Sequence, residues 1–268
     1  MRTFAYTVSL ALLFATAYAA PLKQAHAHND YEHERPLLDA LEHGFSSVEA
    51  DVWLVGGKLL VAHDEDEVTP ERTLEALYLG PLEQRVAANG GTVYAGSDLP
   101  LTLLIDIKSD AAPTYRALDA ALRAHSALLT RFAGEKTEKG AVTTIVSGNR
   151  PLELMASQAV RFAGYDGRLT DLGTDAPASL IPLISDNWTD VFIWMGAGAM
   201  PDGERAELER IVGEAHAKGR SVRFWETPDE PGRARTALWR ELERAGVDHI
   251  NTDDLEGLET FLRAHGAD

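Results

Sequence analysis

The chain has 268 residues, 45% of them hydrophobic, a formal net charge of -17 and no cysteine. That is enough apolar material for one well-filled core. The charge repels nucleic acid and anionic membrane surfaces, and the missing cysteines exclude disulfides and thiolate metal sites.

Residues 1–19 fit a secretory signal. Arg2 is the positive end, residues 8–14 form a short apolar core, and Ala17-Tyr18-Ala19 is a small-x-small cleavage site. The apolar run is too short to span a bilayer. The expectation is export to the periplasm or the extracellular space, no stable membrane anchor, and one mature domain over residues 20–268.

Short apolar runs then alternate with helical patterns. Residues 23–29 suit a first strand, and residues 36–43 a helix with proline at its start and Gly44 at its end. Residues 47–54 suit strand two. Gly56-Gly57 turns the chain into a short returning strand at 58–63. Residues 69–79 have a helical pattern and 90–100 suit a polar loop. Strand three falls at 101–108, an amphipathic helix at 113–129, a charged loop at 133–140, strand four at 142–147, and a short helix opens at Pro151. Strands five to eight are expected at 160–165, 181–186, 221–225 and 247–252. Helices suit 203–218, 232–245 and 255–265, with Gly219 and Gly246 as stops. No helix is easily placed between 164 and 191. This alternation of strand and helix predicts an α/β fold, a single-domain (β/α)8 or TIM barrel.

In such a barrel the reacting groups lie at the C-terminal ends of the strands. Strand two carries Glu49 and Asp51, which alternate with Val48, Ala50 and Val52 and so share one face. Asp106 and Lys108 repeat the pattern on strand three, alternating with Ile105 and Ile107. Three carboxylates facing the interior from neighbouring strands are costly to desolvate unpaired. They make an all-oxygen site suited to one divalent cation, Mg²⁺ or Ca²⁺. Without a metal, Lys108 would have to neutralise Asp106 and an arginine the other pair. His28 and His63 each sit just past an apolar run and suit an acid/base pair, since imidazole titrates near neutrality. His26 shares the face of His28; Asn29 and Asp30 directly after His28 favour the latter.

His28-Asn29-Asp30-Tyr31, Glu49-Ala50-Asp51, His63-Asp64 and Asp106-Ile107-Lys108, in this order and at these spacings, resemble the phospholipase C-like phosphodiesterase superfamily. Its members include the glycerophosphodiester phosphodiesterases and the sphingomyelinase D enzymes. Together with Phe224-Trp225-Glu226-Thr227-Pro228 and Ile250-Asn251-Thr252-Asp253, they resemble the family named after the yeast "altered inheritance of mitochondria" protein six. The resemblance implies a (β/α)8 barrel and a metal held by Glu49, Asp51 and Asp106. It also implies catalysis by His28 and His63, with Lys108 beside the phosphoryl oxygens. Glycerophosphodiesterases usually begin with His-Arg-Gly and carry glutamate where Asp106 stands, so this chain departs from them at the site.

The expected activity is metal-dependent hydrolysis of a small-molecule or lipid phosphodiester. A substrate hydroxyl, giving a cyclic phosphate, or water is the attacker. Asn29, Lys108, Arg168, Trp225 and Asn251 are the candidate substrate contacts. A glycoside hydrolase or a non-catalytic cation-binding barrel are the alternatives. Glu49 and Asp51 stand too close in one strand for the first.

Overall fold

A strand with alternating apolar and polar residues has two chemically different faces. The fold places a different layer against each. In a computed structural model describing residues 20–265, eight parallel strands close into a barrel surrounded by helices. In chain order the barrel strands are Leu22–Ala27, Phe45–Val55, Leu101–Ile107, Val142–Gly148, Ala163–Gly167, Leu183–Asn187, Ser221–Trp225 and His249–Thr252. They are called strands one to eight below. Strand one pairs with both strand eight and strand two, which closes the ring. The expected TIM barrel is therefore observed.

The outward faces carry Val48, Ala50, Val52, Ile105, Ile107, Val222, Phe224 and Ile250 into one apolar core shared with the helices. Helix Ala111–Ala124 buries Tyr115, Leu118 and Leu122 in that layer. Helix Arg233–Ala245 buries Leu238, Trp239 and Leu242, and ends at Gly246 in the left-handed region. The inward faces are different. Leu104, Ile145 and Leu183 form a separate small apolar cluster inside the barrel. Two residues further along the same strands stand Asp106, Ser147 and Ser185, so this cluster plugs the barrel beneath a polar layer.

Three local expectations need correction, and a fourth, the missing helix after strand five, is met. Residues 160–165 are not one strand. Val160–Arg161 pairs with a small side sheet, and only Ala163–Gly167 joins the barrel. Residues 133–140 are not a loop throughout, because Arg131–Ala133 and Lys136–Glu138 form a hairpin through Gly134 (φ 58°). The helical stretch after Thr69 begins as a π-helix, Glu75–Leu79, and continues as Gly80–Ala88. Between strands five and six no covering α-helix forms. Two buried arginines hold that segment by its carbonyls instead. Arg220 donates to Asp171 O (2.7 Å) and Ala176 O (2.6 Å), and Arg161 to Ser179 O (2.9 Å). The polar carbonyls of an irregular segment are thus satisfied without a helix. The proposed signal segment, residues 1–19, lies outside the described residues, as do 266–268.

Candidate active site

Parallel register sets Asp51 beside Asp106, and Glu49 beside Leu104. Strand alternation then brings all three carboxylates inward, with oxygens from each within 4.8 Å of one another. Lys108 Nζ lies 3.0 Å from Asp51 Oδ2 and 3.4 Å from Asp106 Oδ1. Arg223, inward on strand seven, places Nη2 2.5 Å from Glu49 Oε2, and its Nε donates to Asn251 Oδ1 at 2.9 Å. Tyr31 donates its one hydroxyl proton to Asp51 Oδ2 at 2.7 Å, and the same oxygen lies 2.9 Å from Asn29 Oδ1. Asn29 itself is left-handed (φ 46°) at the head of a short 3-10 turn.

Burial raises the Asp51 carboxyl, and crowding by Glu49 and Asp106 adds to it, so it is pushed up to about 7 despite Lys108. Asp106 is raised by burial and by Glu49. Glu49 is also buried, but Arg223 and the two nearby histidines hold it well below the carboxylate range. Asp51 Oδ1 is buried and has no hydrogen-bond partner. Three carboxylates face two cations, and one buried oxygen is left over. This hard, all-oxygen, under-neutralised donor set fits a divalent cation. Glu49, Asp51 and Asp106 are the residues that could hold it.

Beside the carboxylates lies a cavity of about 400 Å³. Its lining includes His28, Glu49, Asp106, Lys108, Arg168, Arg223 and Trp225. His28 Nδ1 donates to Asp253 Oδ1 at 2.9 Å, which leaves Nε2 as the ring atom available to the cavity. Burial lowers the affinity of His28 for a proton, but the Asp253 hydrogen bond and the Glu49 charge outweigh it and raise the pKa. Arg168 is held by Asp166, which is itself buried and accepts from Ser147 and Ser185. Beneath the carboxylates, His26 Nε2 faces Glu49 at 3.3 Å and Nδ1 faces Ser47 at 2.6 Å. Burial and Arg223 lower His26 to about 4, so it is neutral and donates its Nε2 proton to Glu49.

The structure thus brings His28, Glu49, Asp106, Lys108, Arg168 and Trp225 to one cavity, with Asp51 directly behind. Three other candidates stand off its lining. Asn29 faces Tyr31, and Asn251 serves Arg223. His63 is half-exposed with Nδ1 3.4 Å from Asp64. Val61 pairs with Val52 across the hairpin, so His63 follows two residues later, back toward the level of Asp51. His63 therefore sits on the rim rather than in the cavity.

Sequence reasoning assigned no role to Arg223, Tyr31, Asp253 or Gly148. Arg223 was readable as a charge at an inward position between Val222 and Phe224. Gly148 (φ 66°) is required by contact: a Cβ there would meet Asp106 Oδ1 at 2.1 Å and Ile107 O at 2.5 Å. Gly148→Ala is expected to push the Asp106 carboxylate aside and lower turnover about 100-fold, as a displacement of roughly 1 Å does at such sites. Steady-state kinetics alongside a thermal melt checks this, the melt separating a displaced carboxylate from a lost fold.

The sequence matches the model of the AIM6-like phosphodiesterase domain over residues 16–166. It is 32% identical over 261 residues to "Altered inheritance of mitochondria protein 6 homolog" of Arthroderma benhamiae, covering 88% of this chain and 83% of that protein. The chain belongs to the AIM6-like phosphodiesterase family. Another member, "Altered inheritance of mitochondria protein 6" of Saccharomyces cerevisiae S288c, is 30% identical over 86% of this chain and 68% of its own length. Residues 221–256 match the glycerophosphoryl diester phosphodiesterase family. A solved glycerophosphoryl diester phosphodiesterase from Parabacteroides distasonis shares the fold at a TM-score of 0.54 and 13% identity, covering 93% of this chain and 89% of that one. One expectation is overturned here. The relatives of this AIM6-like chain are named for the inheritance of mitochondria, which does not fit a periplasmic or extracellular protein. The export reading rested on residues 1–19 alone.

Proposed function

We propose that the chain hydrolyses a phosphodiester with the help of one divalent cation, Mg²⁺ or Ca²⁺. The observation carrying this reading is the meeting, at one cavity, of an under-neutralised carboxylate triad with His28 and three cations, Lys108, Arg168 and Arg223. Carboxylates of this kind call for a metal, and side-chain cations match phosphoryl oxygens. A cation on Glu49, Asp51 and Asp106 would offset charge on the non-bridging oxygens. Lys108, Arg168 and Arg223 hold and orient the same group. His28, whose hold on a proton the Asp253 hydrogen bond strengthens, gives its Nε2 proton to the leaving oxygen. His63 takes a proton from the attacking hydroxyl or water, reaching it from the rim through one water. Trp225 forms an apolar wall against a substituent. The substrate is a small-molecule or lipid phosphodiester. Nucleic acid is disfavoured by the charge of -17. No described helix is long and apolar enough to cross a membrane.

A second reading, a cation-binding barrel without catalysis, is favoured by the ion pairs that Lys108 and Arg223 already make with the triad. A glycosidase is not, because the carboxylates lie closer together than the roughly 5 Å or more that such chemistry needs. Turnover of bis(p-nitrophenyl) phosphate and a panel of lipid and water-soluble phosphodiesters, with and without EDTA, decides between the readings. Hydrolysis that EDTA abolishes and Mg²⁺ or Ca²⁺ restores supports the first; metal binding without hydrolysis of any diester supports the second.

Metal binding should also depend on pH with a defined sign. Asp51 is raised to about 7, so below that value a cation must displace its proton. Calorimetric affinity is expected to be about tenfold weaker at pH 6 than at pH 8. Equal affinity at the two pH values would remove Asp51 from the ligand set.

A further inference from the structure

We propose that Asp30 is a positioning residue, which with Tyr78 locks the turn after strand one and so seats Tyr31 on Asp51. The inference rests on the phosphodiesterase reading for the reaction that suffers when the lock is lost. The lock itself stands on buried geometry that the reading does not use. Asp30 is fully buried. Its Oδ2 accepts from the Tyr78 hydroxyl at 2.8 Å and from the Leu37 amide at 2.6 Å, while Oδ1 is buried with no hydrogen-bond partner. Despite these two bonds, burial pushes the carboxyl up to about 7, and the charge of Asp39 adds to the effect. Keeping an acid in that place costs stability, a cost that an apolar side chain would avoid.

Backbone strain on either side shows what the carboxylate holds. Among the described residues three that are not glycine have a positive φ, and two of them flank this turn, Asn29 (φ 46°) and Leu37 (φ 66°). A leucine in that region is strained, and it persists only where its surroundings over-determine it. Here the Leu37 side chain is fully buried and its amide is fixed on Asp30. Asn29 stands between His28 and Asp30, and Tyr31 follows. The strained turn therefore joins the proposed general acid to the hydroxyl that donates to Asp51 at 2.7 Å. Strain kept at a site, and held by a buried acid, is the mark of a geometry needed for something other than stability.

The lock comes from a segment far along the chain. Tyr78, 48 positions from Asp30, belongs to the π-helical turn Glu75–Leu79, a rare form that is frequent at functional sites. Arg72, just before that turn, donates from Nη2 to Tyr31 O. The Arg72 carbonyl accepts from Val61 N at 2.7 Å, on the returning strand that leads to His63. Residues 72–78 thus grip the turn twice, at Asp30 and at Tyr31, and the hairpin once.

The test compares the whole protein with Asp30→Leu, Asp30→Asn and Tyr78→Phe. Its readouts are kcat and KM on bis(p-nitrophenyl) phosphate in saturating Mg²⁺ or Ca²⁺, a thermal melt, and a crystal structure of each variant. Asp30→Leu should lower kcat about 100-fold, as a displacement of roughly 1 Å does, with KM within about twofold. Tyr78→Phe leaves the Leu37 amide on Asp30 and should cost about tenfold. Asp30→Asn keeps an acceptor for both donors and should stay within about threefold of the wild type. Adding Tyr31→Phe to Asp30→Leu should cost nothing further, because Asp30 acts through Tyr31. In crystals of Asp30→Leu the Tyr31 hydroxyl should lie beyond hydrogen-bond distance of Asp51. A wild-type kcat in Asp30→Leu, a further loss on adding Tyr31→Phe, or a Tyr31 hydroxyl still seated on Asp51 overturns the proposal. So does a lower melting temperature with kcat intact, the result of a carboxylate that only caps the start of helix Leu38–Glu42. If Asp30→Leu does not fold, Tyr78→Phe carries the same readouts. If the wild type hydrolyses no diester, the phosphodiesterase reading falls while the position of Tyr31 in the variants still decides the role of Asp30.

Discussion

His28→Ala should lower the turnover of any diester substrate by roughly 10²–10⁴-fold, the usual contribution of a placed general acid. The melting temperature should stay close to that of the wild type, because His28 is partly exposed and has one side-chain hydrogen bond, to Asp253. The same bond sets the pH dependence. Burial alone would lower the His28 pKa; Asp253 and the Glu49 charge reverse this and raise it above the ordinary imidazole value. A group that must be protonated to act loses activity as pH rises through its pKa. The alkaline arm of the kcat profile should therefore lie above the usual histidine range. Asp253→Asn should move that arm to lower pH without removing activity at pH 6. His63→Ala is expected to cost less, about tenfold, because His63 is half-exposed on the rim and its proposed role needs a bridging water. A wild-type rate in His28→Ala would refute the assignment. An alkaline arm unmoved in Asp253→Asn would refute the pairing.

The parts of this site that were legible are those written in local alternation. Glu49 and Asp51 share a face because they are two apart on a strand, and the same rule puts Asp106 and Lys108 beside them. Strand adjacency, which the order of elements already implied, did the rest. What was not legible depends on partners far apart in sequence. Arg223 reaches Glu49 across 174 positions and Asp253 reaches His28 across 225. Nothing local says which of several inward polar groups will meet. Asn251 shows the limit: its place on strand eight was read, but its partner is Arg223 rather than the cavity. Gly148 escaped for another reason, since its role is to have no side chain where the Asp106 carboxylate lies. The break at Phe162 was hidden because Val160–Arg161 and Ala163–Gly167 are both extended and separated by one residue, although they join different sheets.

Glu49 separates structure from chemistry most sharply. Its carboxylate is buried and accepts from Arg223 and His26 at once. Glu49→Ala would leave Arg223 buried with only Asn251 as a side-chain partner. Breaking a buried pair from one side costs about 3–5 kcal/mol. In a domain of this size that lowers the melting temperature by roughly 6–20 °C. It should also abolish divalent-cation binding, as one of the three proposed ligands is gone. The sign with pH follows from the depressed Glu49 pKa. Such a group contributes fully above its unfolded value near 4.5 and loses that contribution as pH falls through the folded one. The difference between Glu49→Ala and the wild type should thus be flat from about pH 6 to 8 and shrink in acid. Replacing both partners, Glu49→Leu with Arg223→Leu, removes the stranded charge. The double variant should be more stable than either single one, with a favourable coupling of roughly 1–3 kcal/mol in the cycle. Additive single and double effects would mean that Arg223 and Glu49 do not stabilise each other, and that the carboxylate is held by His26 and the strand alone.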